Sequence, residues 1–305
     1  MRGMTIDFSP KHRVFLKDRE SGLLRRMDEP YYTAQLVGDG VWQIGSDGCY
    51  AFLVEGDSES VLIDTGYGAG NIRSFAQCLT LRPLRRVINT HDHFDHTALN
   101  GLFDCAVMSA ATAPLATRPF PSFSGIEFPT EYEKEIVRDG DCIELGGRSL
   151  RVFEIPDHAV GSIALLDSRS RILFIGDECS RFGKDVSGSV QDVAVMFRRL
   201  AEARPEFDRV AQNHMGLLAG DIVERIAQNL EHILAGNEGE PDAKPPFRLP
   251  EPEMLPTGEE IWLRDLPHPG DVHPKGPGEK QHLRVSRFAD CEVKYDLRRI
   301  TSFTK

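Results

Sequence analysis

The 305-residue chain is long enough for one large domain with extensions, and its 40% hydrophobic content is sufficient for a sizeable core. Its 36 basic residues against 47 acidic ones leave a net charge of -11, which repels polyanions and excludes nucleic acid and acidic membrane surfaces as expected partners. No apolar run approaches the ~20 residues that span a bilayer, and "MRGMTIDFSPKHRVFLKDRE" lacks the apolar segment of a secretory signal, so a cytoplasmic location is expected.

Residues 1–35 read as an N-terminal extension, and the main domain is placed at 36–236. From Val41, β-rich runs follow one another closely: "VWQIG", "CYAFLVEG", "SVLIDTG", then "RRVINT" and "CAVMSA". Between the third and fourth, Ile72, Phe75, Ala76 and Leu79 repeat at helical spacing. A second set comprises "SLRVFEIP", a hairpin "SIALLDSRSRILFIGD" turning at 167–170, and "RVAQNH". Two amphipathic helices accompany it, one with the stripe Val190, Val193, Ala194, Phe197 and Leu200, the other with Ile222, Ile226, Leu230 and Ile233 before a terminating Gly236. Two groups of strands, each covered on one face by helices, predict two packed sheets with helices outside.

Residues 237–305 differ in kind. Ten prolines and six glycines between positions 236 and 280 interrupt regular structure, although Ile261, Trp262 and Leu263 are unusual for a free linker. This stretch is therefore expected to be an arm lying along the domain or along a partner subunit, which would make a homodimer, with two further strands in "HLRVSRFADCEVKYDLRRI". Six dispersed cysteines form no CxxC pair and are expected to be mostly small core residues in a reducing compartment.

The densest chemistry is in "NTHDHFDH", where three histidines and two aspartates fall within six positions directly after a strand. Side chains two apart in an extended or turning segment point the same way, so His91 and His93 can grip one ion while Asp95 and His96 address a second. Imidazole together with carboxylate suits a borderline metal such as zinc. Four such groups crowded together without a metal would face desolvation and repulsion. A lone histidine would more often be a surface or hydrogen-bonded core residue.

This HxHxDH loop after a strand resembles the signature of the metallo-β-lactamase superfamily, whose remaining ligands lie at later strand ends. The resemblance implies an αββα four-layer sandwich of two mixed sheets with outer helices, and extends over about residues 41–235. It implies His158 in "EIPDHAVG" as the third ligand beside His91 and His93, Asp177 in "ILFIGDE" as the carboxylate bridging two ions, and His214 in "RVAQNHMG" as partner to Asp95 and His96. It also implies that Asp64 in "VLIDTG" orients a ligand histidine through its other ring nitrogen. Asp157 and Ala159 stand where the family usually has glycine and threonine, which removes no ligand but puts a charge near the centre.

The cofactors so implied are two divalent ions, zinc first, with manganese or iron as alternatives, and the reaction is hydrolysis, with Asp95 holding the attacking water and taking its proton. A small-molecule lactone, ester or thioester is the expected substrate, with a phosphodiester as an alternative. Phe120, Phe123 and Phe128, in the loop 116–137, and Arg181, after the bridging carboxylate, are candidate substrate contacts; the rings could equally pack the loop down. Arg181 or Lys184 could receive a substrate carboxylate, although a solvated surface role is the commoner one for such groups. Two rival readings use the same residues: an iron-dependent persulfide dioxygenase holding a single ion on His91, His158 and Asp177, and a ligand-binding protein of low turnover. The histidines at 268, 273 and 282 lie in a proline-rich setting and are not counted as a site.

Overall fold

Strands Cys49–Glu55, Ser60–Ile63, Ile163–Asp167 and Ile172–Gly176 are apolar at nearly every position because each is buried on both faces. The computed structural model describes residues 32–46, 49–66, 70–117, 130–242 and 282–301, with the backbone of four short strands, Phe15–Lys17, Leu24–Arg26, Glu253–Met254 and Glu260–Ile261. A seven-stranded sheet runs in the order Thr33–Gly38, Val41–Ser46, Cys49–Glu55, Ser60–Ile63, Leu84–Ile88, Cys105–Ser109, Glu133–Val137. Its first three pairings are antiparallel and its last three parallel. A six-stranded sheet runs Cys142–Glu144, Ser149–Glu154, Ile163–Asp167, Ile172–Gly176, Arg209–Gln212, Gly216–Ala219. Only its pairing of Ile172–Gly176 with Arg209–Gln212 is parallel.

The alternation of side chains along a strand decides the layers. Phe52, Val54, Val61 and Ile63 face Leu150, Val152, Leu165 and Phe174 across an apolar interface between the sheets, where the rings of Phe52 and Phe174 meet edge-on at 5.4 Å. Their neighbours point outward. Leu53, Leu62 and Val87 pack on α1 (Ile72–Gln77) through Ile72, Phe75 and Ala76. Ala164, Leu166 and Leu173 pack on α3 (Val190–Glu202) and α4 (Ile222–Leu234). A four-residue helix, α2 (Phe94–Thr97), falls inside the His91–His96 segment. The result is the αββα sandwich expected from the sequence. Truncating a side chain at the central interface, such as Phe52, costs about 3–5 kcal/mol because a close-packed interior refills such a gap poorly.

A third sheet was not anticipated. The two expected strands, Leu283–Phe288 and Cys291–Asp296, form a hairpin, which pairs with Glu240–Pro241 on one edge and with Gly183–Asp185 on the other. The approach at Gly183 (φ 141°) is so close that a Cβ there would lie 1.7 Å from the Glu292 carbonyl oxygen, so only glycine fits. Cys291, Val293 and Tyr295 enter the same core as α3 and α4. Within the proline-rich stretch, Glu253–Met254 pairs with Glu260–Ile261, a short regular pairing where none was expected. Glu133–Val137, read as part of a loop, is the edge strand of the large sheet. Only three of the six free cysteines, Cys49, Cys179 and Cys291, are buried, whereas Cys78 and Cys142 are exposed.

Candidate metal centre

Several strand ends meet at one rim of the sandwich. Ser60–Ile63 delivers Asp64, Leu84–Ile88 delivers the segment 89–96, Ile172–Gly176 delivers Asp177, and Arg209–Gln212 delivers Asn213 and His214. The chain leaving Ser149–Glu154 adds Asp157 and His158. α2 begins immediately after His93, whose carbonyl accepts from the amides of His96 and Thr97, so Asp95 and His96 lie in its first turn. Gly176 adopts φ 60°, and a Cβ there would sit 2.7 Å from Thr90 Oγ1; glycine thus lets Asp177 close on the His91 strand end.

Asp64 organises the rim from beneath. Fully buried, it accepts from Thr90 N at 2.8 Å, Thr90 Oγ1 at 2.7 Å, Asn213 Nδ2 at 2.8 Å and His96 Nδ1 at 3.0 Å. Its own backbone is in the left-handed region at φ 59°, a conformation Asp tolerates better than most residues. With Nδ1 held in this way, His96 Nε2 faces outward, 3.5 Å from both Asp95 Oδ2 and Asp177 Oδ2. His214 Nε2 lies 3.2 Å from Asp95 Oδ2 and 2.9 Å from Asp177 Oδ2. On the other side His158 Nε2 is 3.1 Å from His93 Nδ1 and 3.9 Å from Asp177 Oδ2. The His91 ring stands 4.4 Å from that of His93, 5.0 Å from that of His158 and 3.9 Å from that of His96.

Two abutting donor sets result, His91, His93 and His158 in one, Asp95, His96 and His214 in the other, with the donor atoms of each set within 4.8 Å of one another. Asp177 lies between them, grouped with His91 and His96. All seven sequence-predicted ligand residues are therefore brought together, and Asp64 supports them from below. Both His91 Nε2 and His96 Nε2 are buried without a hydrogen-bond partner among the described residues. Buried nitrogens of that kind, aimed at carboxylates and other imidazoles, fit borderline divalent ions.

The electrostatics of the two sets differ. Burial disfavours charge on His91, and repulsion from His96, His93 and His158 adds to it, so its pKa lies well below the ordinary imidazole value. Burial and then His93 bring His158 down to about 4. Across the centre burial also opposes charge, but Asp95, Asp64 and Asp177 outweigh it and hold His96 well above the ordinary value. His214 is raised in the same way, chiefly by Asp177. Despite burial, Asp95 and Asp177 are held well below the usual carboxylate range by His96 and His214.

A model of the metallo-beta-lactamase superfamily matches residues 44–178. The chain is 30% identical over 212 residues to acyl-coenzyme A thioesterase MBLAC2 of Gallus gallus, covering 58% of this chain and 76% of that protein. The chain belongs to the metallo-beta-lactamase superfamily. The human MBLAC2 is 27% identical over 65% of this chain and 86% of its own length. A hydroxyacylglutathione hydrolase of Bdellovibrio bacteriovorus is 27% identical over 43% of this chain and 49% of that protein. The crystal structure of BJP-1, a subclass B3 metallo-beta-lactamase of Bradyrhizobium japonicum, superposes with a TM-score of 0.50 at 18% identity, covering 67% of this chain and 94% of that one. That likeness is one of fold. The superfamily match ends at Glu178, short of His214, which the resemblance of "RVAQNHMG" implied and which the fold brings beside Asp95 and Asp177.

A cavity of about 990 Å³ opens beside the cluster, with His158, Asp177 and His214 on its wall and Arg181, Phe182, Met215 and Phe288 among its other lining residues. Arg181 is thus at the cavity, its guanidinium 4.8 Å over the Phe182 ring. Phe120, Phe123 and Phe128 lie outside the described residues. Lys184 corrects its sequence reading as a surface or substrate-facing group: it is 3% exposed, with Nζ 2.5 Å from Asp157 Oδ2 and 2.8 Å from Glu178 Oε2. Glu178 Oε1 also accepts from His158 N at 2.7 Å, and Asp157 from the amides of Ser187 and Gly188. This buried triad ties the His158 turn to the segment after Asp177. Sequence reasoning had marked Asp157 only as a charge and had missed Glu178 and Asn213; adjacency to Asp177 and His214 was the only available signal.

No helix among the described residues is long and apolar enough to cross a membrane.

Proposed function

We propose that this chain is a metal-dependent hydrolase that cleaves the thioester of a small molecule. The observation that carries this reading is the convergence of seven imidazoles and carboxylates from separated strand ends into two adjacent donor sets sharing Asp177. The names of the relatives, an acyl-coenzyme A thioesterase and a hydroxyacylglutathione hydrolase, favour a thioester among ester-like bonds.

In this reading His91, His93 and His158 would hold one ion, Asp95, His96 and His214 the other, and Asp177, lying between the two sets, would serve both; zinc suits the donor chemistry. Such ions, when bound, supply a water acidified towards neutrality and a positive field for the oxyanion that develops on the carbonyl. Asp95 would orient that water and take its proton. Asp64, through His96 Nδ1, keeps the imidazole in the tautomer that leaves Nε2 free to bind. No serine or cysteine nucleophile is required. The thioester enters through the cavity beside His158 and His214, with Arg181, Phe182, Met215 and Phe288 along its path.

The test is a panel of thioester, lactone, phosphodiester and β-lactam substrates, run on the full chain with its metal quantified. Thioester turnover that scales with two divalent ions per chain supports the reading. Equal, negligible rates across the panel, or one iron per chain with oxygen consumption, would overturn it.

A further inference from the structure

Cys49 has no part in the ligand set so far described, yet its sulfur lies beside the donor atoms of the second one. It is the first residue of the strand Cys49–Glu55 and is 1% exposed. A small core residue would have its sulfur among apolar groups. Here Sγ is 3.7 Å from Asp95 Oδ2 and lies within 4.8 Å of the donor atoms of Asp95, His96 and His214. Its position is built by the fold: Tyr50 N donates to Asn213 O at 2.6 Å and Asn213 Nδ2 to Tyr50 O at 2.7 Å, fixing the start of this strand against the His214 turn. An independent observation points to an ion at the same place, since His96 Nε2 is buried there without a hydrogen bond among the described residues.

The spacings fit one coordination sphere. With metal–sulfur near 2.3 Å and metal–oxygen near 2.0–2.2 Å, the edge of a tetrahedron joining the two donors is roughly 3.5 Å. The sulfur–carboxylate separation of 3.7 Å matches that edge, and the neighbouring separations are 3.2 Å from His214 Nε2 and 3.5 Å from His96 Nε2 to the same oxygen.

We infer that Cys49 is a thiolate ligand of the second ion, alongside Asp95, His96 and His214. On coordination a sulfur–metal bond forms and the thiol proton leaves to solvent. A soft donor at this position favours zinc, cobalt or cadmium over magnesium or manganese, so the two ion positions have different metal preferences. The inference rests on the two-ion reading above and specifies the chemistry of one of its sites.

The test is optical. The full chain is stripped with a chelator and reloaded with two equivalents of cobalt(II). Wild type should show a sulfur-to-cobalt charge-transfer band in the near ultraviolet, which is lost in both Cys49→Ser and Cys49→Ala while the visible bands of imidazole- and carboxylate-bound cobalt persist. Cys179→Ser, beside the neighbouring cavity, should keep the sulfur band. The second equivalent of cadmium should bind the Cys49 variants at least about tenfold more weakly than wild type. Two bound cobalt ions in wild type with no sulfur band, or a band unchanged in either Cys49 variant, overturns this assignment alone. Failure of wild type to take up cobalt at all overturns it together with the proposed function.

Discussion

Three imidazoles, His91, His93 and His158, crowd on one side of Asp177, while on its other side His96 and His214 are interleaved with Asp95 and backed by Asp64. On the first side burial and repulsion from neighbouring imidazoles disfavour charge on His91 and His158, so these two rings stay unprotonated and ready to donate to a cation. The second side pairs its imidazoles with carboxylates, so protons occupy it and must be displaced before an ion enters. The difference predicts unequal behaviour: the first ion should load with little dependence on pH, and the second should load with proton release. Asp177 couples them because its Oδ2 faces His96, His158 and His214 together.

The most severe way to break the contrast is to remove the shared group. Asp177→Ala should empty both positions and lower kcat/KM by about a thousandfold or more, the equivalent of several kcal/mol of lost transition-state stabilisation; elemental analysis beside a thioesterase assay checks it, and a fully active variant would refute the two-ion mechanism. Lys184→Met strikes the support of the His158 side. It leaves Asp157 and Glu178 buried without their cation, with an expected cost of about 3–5 kcal/mol in urea unfolding.

The sign of the pH effect follows. Burial opposes the Lys184 charge, but Asp157 and Glu178 prevail and its pKa is raised. Its contribution is complete below the ordinary lysine value of about 10.4 and disappears as pH climbs through the higher folded value. Wild type should lose stability on that alkaline limb, and Lys184→Met should flatten it.

A subtler change separates the two sides. In Asp64→Asn an amide donor can face His96 Nδ1, forcing the imidazole into the tautomer with its proton on Nε2. The second ion should then bind about 10–100-fold more weakly while the first is retained, as stepwise metal titration would reveal; equal weakening of both ions would show that the sides are not independent. The smallest expected effect is at the rim. Arg181→Ala should leave metal content unchanged and raise KM a few-fold, since the residue lines the cavity and supplies no donor to either ligand set.

Much of the architecture could be read along the chain. The apolar runs at 49–55, 60–63, 163–166 and 172–176 identify strands covered on both faces, and the stripes at 190–200 and 222–233 identify the helices above them, because both signals are local periodicities imposed by burial. The octet 89–96 was similarly legible, since one short segment carries four of the donors. Other features had no local signature. Glu133–Val137 is a strand whose exposed edge carries charges instead of an apolar alternation. Tyr132 next to it accepts from Asn100 and donates to the Ala116 carbonyl, holding the start of that strand to the preceding turn.

What the sequence determined by itself is therefore the chemistry of the donors and the layers that carry them, for ligand types and hydrophobic periods are properties of neighbouring residues. The tertiary structure alone decided that Lys184 is an interior strut rather than a surface charge. It also brought the hairpin 283–296 against Gly183–Asp185 and turned the Cys49 sulfur towards Asp95. Each of these joins positions tens to more than a hundred residues apart, and such contacts are set by how sheets stack and strands end rather than by any pattern within a single segment.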